Sequence, residues 1–139
     1  MTGQSFYAGV RADVESGVRQ EAPLSVIWAG LLVSMLTFLG VALVLRPRFE
    51  QAEGLGVLTW MAIAWCVLST ITAALLRTMA GEAGGDTAKR RGLHIASFGL
   101  LESGALFAGV SHLVSPLDYG IYAAFVPMAA MLAFFPRAD

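Results

Sequence analysis

The sequence predicts an all-α polytopic membrane protein. Hydrophobic residues fill 57% of its 139 positions and charged residues only 14%, where a soluble domain is about one-quarter charged. The charges gather in short segments and leave uncharged runs of membrane-spanning length between them. The length holds one transmembrane domain, residues 23–139, behind a polar segment, residues 1–22. A net charge of -1 offers no attraction to nucleic acid. The single cysteine, Cys66, allows neither an intrachain disulfide nor a cysteine-based zinc site; inside an apolar run it reads as a small buried hydrophobe.

Residues 1–22 alternate Arg11, Asp13, Glu15, Arg19 and Glu21 with Phe6, Val10, Val14 and Val18. Apolar positions four apart predict a loosely amphipathic helix on the membrane surface or against a partner, with a solvated tail as the alternative. The acids and the missing short apolar region argue against a secretory signal peptide.

Pro23 suits a first helical turn, and the uncharged run that follows predicts a first span over about 24–45. Arg46-Pro47-Arg48 ends it, by charge and by a helix-breaking ring. A short polar connection leads to a second span over about 57–76, closed by Arg77. Trp60 fits the interfacial belt, while Trp65 lies deeper and is expected to pack. Thr78 to Arg91 reads as a flexible loop containing Gly81, Gly84 and Gly85. Its closing triplet, Lys89, Arg90 and Arg91, reads as a topology signal and lipid-headgroup contact.

The third span is predicted over about 92–114. Ser115-Pro116-Leu117-Asp118 then makes a tight turn, with Asp118 placed to cap the next helix. The fourth span, about 119–135, is short. Pro127 near its centre predicts a kink that frees a carbonyl around Ala123, and Tyr119 and Tyr122 fit the interfacial belt. Four spans put both termini on one side of the membrane. That side carries seven Lys and Arg (Arg11, Arg19, Arg77, Lys89, Arg90, Arg91, Arg137) and the other carries Arg46 and Arg48. The asymmetry orients both termini toward the cytoplasm of a bacterial inner membrane.

The third run carries the chemistry. Glu102 is the only acid placed well inside an apolar run, and a charge at mid-bilayer costs a few kcal/mol, about 3 on insertion scales. On a helical wheel, Gly92, Ala96, Gly99 and Ser103 form a small-residue stripe about 60–120° from Glu102. Ser97, Gly104, Ala108 and Ser111 form a second stripe further round. Small residues let helices approach closely, so this helix is expected to be central. Gly109, close to the Glu102 face, is expected to leave room beside the carboxylate. Glu102 then has two uses: a protonated donor that ties helices together, or a group that exchanges protons or cations.

His94 and His112 are 18 residues apart, about 27 Å along a helix, too far to share one haem within one chain. They read as interfacial histidines, and no cofactor or metal is expected. No catalytic triad, Cys–His pair, HExxH or glycine-rich phosphate loop is present in the sequence, which points away from an enzyme.

The stretch Leu100-Leu101-Glu102-Ser103-Gly104-Ala105-Leu106-Phe107-Ala108-Gly109-Val110 resembles the carboxylate helix of the c-subunit proteolipids of rotary ATPases. That resemblance implies an ion-handling role for Glu102. Those proteolipids carry a glycine-rich repeat in the preceding helix, and Leu58 to Leu76 contains no glycine. The basic start of the third run, its Leu-Leu-Glu core and the short fourth run ending at Pro136-Arg137 are similar to a group of uncharacterised small bacterial four-span membrane proteins. That likeness implies a fold and no activity. The expected function is a non-enzymatic, helix-packing subunit of a homo- or hetero-oligomeric membrane complex. Its expected partners are the lipid bilayer and other membrane subunits or further copies of itself. The alternative is a proton- or cation-handling proteolipid-like protein.

Overall fold

The computed structural model describes residues 23–136; the predicted amphipathic helix within residues 1–22 lies outside them. The described chain is all-helical: α1 (Leu24–Leu45), α2 (Gly56–Glu82), α3 (Thr87–Val114) and α4 (Phe125–Ala133), with short 3-10 turns at Arg46–Arg48, Glu53–Leu55 and Asp118–Ala124. Three of these helices are long and apolar enough to cross a membrane. At 1.5 Å per residue they extend about 33, 40 and 42 Å, against a hydrocarbon core of about 30 Å.

α1 has the predicted bounds. Pro23 precedes it with φ −58°, and Arg46 carries the chain into the 3-10 turn. α2 and α3 correct the expectation of a long loop between them. α2 runs on through Arg77 to Glu82, and α3 begins at Thr87 rather than Gly92. A charge ends insertion into lipid, not the helix itself. The helix ends where the backbone turns left-handed, at Gly84 with φ +59°, a conformation that favours glycine. Asp86 then caps α3, its carboxylate accepting the Lys89 amide at 2.9 Å. Lys89, Arg90 and Arg91 therefore stand on the first turns of a helix.

The fourth apolar run also differs from expectation. It is a 3-10 stretch over Asp118–Ala124 that becomes α-helical at Phe125. Pro127 does not kink a continuous α-helix. It lies near the junction where the 3-10 stretch becomes α-helical, and its ring is fully buried.

α3 is the centre of the packing. Some 39% of its apolar window is buried, against 22% for α2 and 17% for α1. It packs on α1, α2, α4 and the 3-10 stretch, while α1 packs chiefly on α3. The core joins Met35 and Leu39 of α1, Cys66 and Ala73 of α2, Phe98 and Leu101 of α3, and Met131 of α4. Trp28 ties α1 to α4: its indole N–H donates to the Met131 carbonyl at 2.8 Å, and its ring meets Phe135 edge-on.

Candidate functional site

The small residues of α3 divide into a covered face and an open one. Ser97, Gly104, Ala108, Gly109 and Ser111 are buried. Gly104 faces α2 and α4 so closely that a Cβ would lie 2.6 Å from Ser69 Oγ, 3.5 Å from Cys66 Cα and 3.7 Å from Pro127 Cγ. A Cβ on Gly109 would lie 2.7 Å from the Phe38 ring of α1. The space expected beside Glu102 at Gly109 is thus taken by α1. Gly92, Ala96 and Gly99 are exposed, and a Cβ built on Gly92 or Gly99 meets nothing within 4 Å. Ser103, the fourth member of that stripe, is half-buried; its hydroxyl accepts the Trp65 indole N–H at 3.3 Å and donates to the Leu100 carbonyl at 2.8 Å. Trp65 remains 38% exposed.

Glu102 borders the open stripe. It is half-buried, and its carboxyl has no hydrogen bond or ion pair among the described residues. Ser97 is a second isolated polar group: fully buried, its hydroxyl has no hydrogen-bond partner among the described residues.

A polar cluster that the sequence reading did not identify closes the end of the bundle where α1 and α3 finish. Arg46, at the end of α1, reaches the C-terminus of α3. Its Nη1 donates to His112 Nδ1 at 2.7 Å and to the His112 carbonyl at 2.6 Å, and its Nη2 donates to the Ser115 carbonyl at 3.3 Å and pairs with Asp118. The last carbonyls of a helix lack intrahelical partners, and a cation there also opposes the helix dipole. A guanidinium has no acceptor atom, so Nδ1 of His112 must carry the lone pair in this contact. Asp118 therefore serves the ion pair, not the expected helix cap; the Leu117 amide is bound instead by Ser115 Oγ at 3.2 Å. Thr59 Oγ1 donates to Ser115 Oγ at 2.8 Å and accepts from Ser111 Oγ at 3.3 Å, bringing α2 into the cluster. A Cβ on Gly120 would lie 2.9 Å from Thr59 Cγ2, so a larger residue there would push Thr59 aside. His112, expected to be interfacial, stands in the last turn of α3 and is 5% exposed, packed into the fold by these contacts.

At the basic end, Lys89 is exposed, while Arg90 and Arg91 are half-buried. Arg77 donates to the Phe134 carbonyl at 2.8 Å, and its guanidinium lies 4.8 Å from the Phe134 ring centroid. Among the described residues, no group of three or more His, Cys, Asp or Glu side chains is placed to hold a metal ion. Comparison with protein families, with curated proteins and with solved structures finds no match.

Proposed function

We propose that the chain is a non-enzymatic integral protein of the bacterial inner membrane, a helix-packing subunit that joins a homo- or hetero-oligomeric complex through the open face of α3. One observation supports the reading: Gly92, Ala96 and Gly99 are exposed, and a Cβ on Gly92 or Gly99 would meet nothing within 4 Å among the described residues. Lipid is as apolar as leucine, so membrane helices associate by close packing and hydrogen bonds, and small residues at spacings of three or four allow both. Glu102 at the margin of the stripe supplies a hydrogen-bonding group for the partner helix. In lipid such a group stays unsatisfied until a partner arrives.

A four-span arrangement with cytoplasmic termini is part of the proposal. The run Asp118–Ala133 is short in residues, but 3-10 helix rises about 2.0 Å per residue and α-helix 1.5 Å. Its two parts together reach about 27 Å, close to the hydrocarbon thickness. The fold also gathers Leu24, Arg77, Arg90 and Pro136 at one end, as an even number of crossings requires. Native mass analysis of the wild-type chain in mild detergent tests the reading. A defined multiple of the chain mass, or a fixed heavier complex, is expected; a monomer would refute it.

A second reading, proton or cation handling by Glu102, is favoured by the carboxyl's isolation among the described residues. Glu102→Gln separates the two. A packing role tolerates the amide, which keeps shape and hydrogen bonds, and suffers more from Glu102→Ala. An ion-handling role loses proton or cation flux in vesicles equally with either substitution, because neither titrates.

A further inference from the structure

Where α1 and α3 finish, one contact depends on a protonation state. Arg46 Nη1 lies 2.7 Å from His112 Nδ1. A guanidinium has only donors, so Nδ1 holds this contact only while it keeps its lone pair. The neutral ring then carries its hydrogen on Nε2, and the next proton must land on Nδ1. There it would set one N–H against another and one positive charge beside another. The same guanidinium holds the His112 carbonyl at 2.6 Å and the Ser115 carbonyl at 3.3 Å, so losing its place at the ring loosens both. We propose that protonation of His112 ejects Arg46 and frees the segment after α3, an acid-operated latch between the end of α1 and the 3-10 stretch Asp118–Ala124.

The surroundings make this contact a switch. The charged groups that act on the ring are Arg46, from the turn after α1, and Asp118, from the 3-10 stretch. Asp118 pairs with Arg46 while the imidazole is neutral, and its carboxylate is at hand for the imidazolium once Arg46 leaves. α1 and α4 contain no titratable side chain. α2 reaches the cluster through the Thr59 hydroxyl; its titratable residues, Cys66, Arg77 and Glu82, stand about two turns or more further along. On the 3-10 stretch itself, Tyr119 turns to Trp60 and Tyr122 to Phe125. The element that the latch holds is suited to move. It is a 3-10 run of seven residues, and runs beyond about four are uncommon because their hydrogen-bond geometry is poorer than that of an α-helix. Protonation of a histidine biases such an element between two arrangements. In the topology proposed above this end faces away from the cytoplasm, so the latch answers to acidity on that side.

The experiment is hydrogen–deuterium exchange of the full chain in mild detergent, compared at about pH 7.5 and about pH 5.5, one unit either side of the ordinary imidazole value, and corrected for the intrinsic effect of pH on exchange. The closed latch excludes a proton that the opened imidazole takes up below about pH 6.5. The latch is therefore fully held above that pH, and its opening gains up to about tenfold for each unit below it. Wild type is expected to lose about tenfold in protection over Asp118–Ala124 at the lower pH, while the packed middle of α2 around Cys66 is unchanged. His112→Asn sets an amide oxygen near the place of Nδ1, keeps an acceptor for Arg46 and does not titrate; its protection should differ by less than about twofold between the two conditions. Arg46→Gln, whose amide donates or accepts, tolerates either state of the ring. It should lose the pH response as well, and it serves where the asparagine variant fails to fold. Equal wild-type protection at both pH values, a loss spread evenly along the chain, or a full pH response in a folded His112→Asn or Arg46→Gln chain would overturn the proposal.

Discussion

Arg46 links α1 to the end of α3 and to the segment that follows it. Its guanidinium is 11% exposed and reaches two carbonyls, an imidazole and a carboxylate across three segments. Asp118 is 84% exposed, so the ion pair itself is screened and adds little. The weight falls on the part-buried hydrogen bonds from a charged donor, each about 1.5–3 kcal/mol. Arg46→Ala is expected to cost about 3 kcal/mol in detergent unfolding, and Arg46→Lys to recover less than half, because an ammonium cannot span His112 and Ser115 together. A loss below about 0.5 kcal/mol, the level of a typical surface substitution, would show that the cluster is incidental. The sequence shows Arg46 as a charge ending a run and His112 as a lone histidine. Their separation of 66 residues hides the pairing. A usable signal was present: an up-and-down order of the apolar runs puts the end of the first and the end of the third at one end of the bundle.

At the scale of elements, the helices were legible and their ends were not. Apolar length sets where a chain enters and leaves lipid, and it located all four runs. Helix ends depend on backbone geometry and capping. The left-handed turn at Gly84 and the Asp86 cap place both ends of the α2–α3 connection well away from the charges. The same limit explains the stripes of α3. Helical spacing identifies which small residues share a face, but only the neighbours decide which face is filled. Ser97, Gly104, Ala108 and Ser111 are buried in the described bundle, whereas Gly92, Ala96 and Gly99 are exposed among the described residues. Gly104→Ala is therefore expected to destabilise the fold by about 1–3 kcal/mol through overpacking against Ser69 and Cys66, measured by thermal or denaturant unfolding in detergent. Full stability in that variant would mean that α2 and α3 are not in close contact at this level.

At the scale of the whole molecule, the described residues form a bundle whose two ends differ in charge and whose outer surface carries an exposed stripe of small side chains on α3. The end-to-end charge difference makes topology testable. A reporter active only in the periplasm should be silent when fused after Asp139 and active when inserted at Gln51; the reverse pattern would invert the orientation. The stripe makes association testable without disturbing the fold. Gly99 has open space where its side chain would be, and Gly104 has none, so a leucine at each position asks a different question of the same helix. The decisive measurement is native mass together with thermal unfolding of Gly99→Leu in mild detergent, with Gly104→Leu alongside. The account expects Gly99→Leu to unfold at the wild-type temperature and to fall from the wild-type assembly to a single chain, while Gly104→Leu loses stability. A Gly99→Leu chain that keeps both the wild-type mass and the wild-type stability would contradict it.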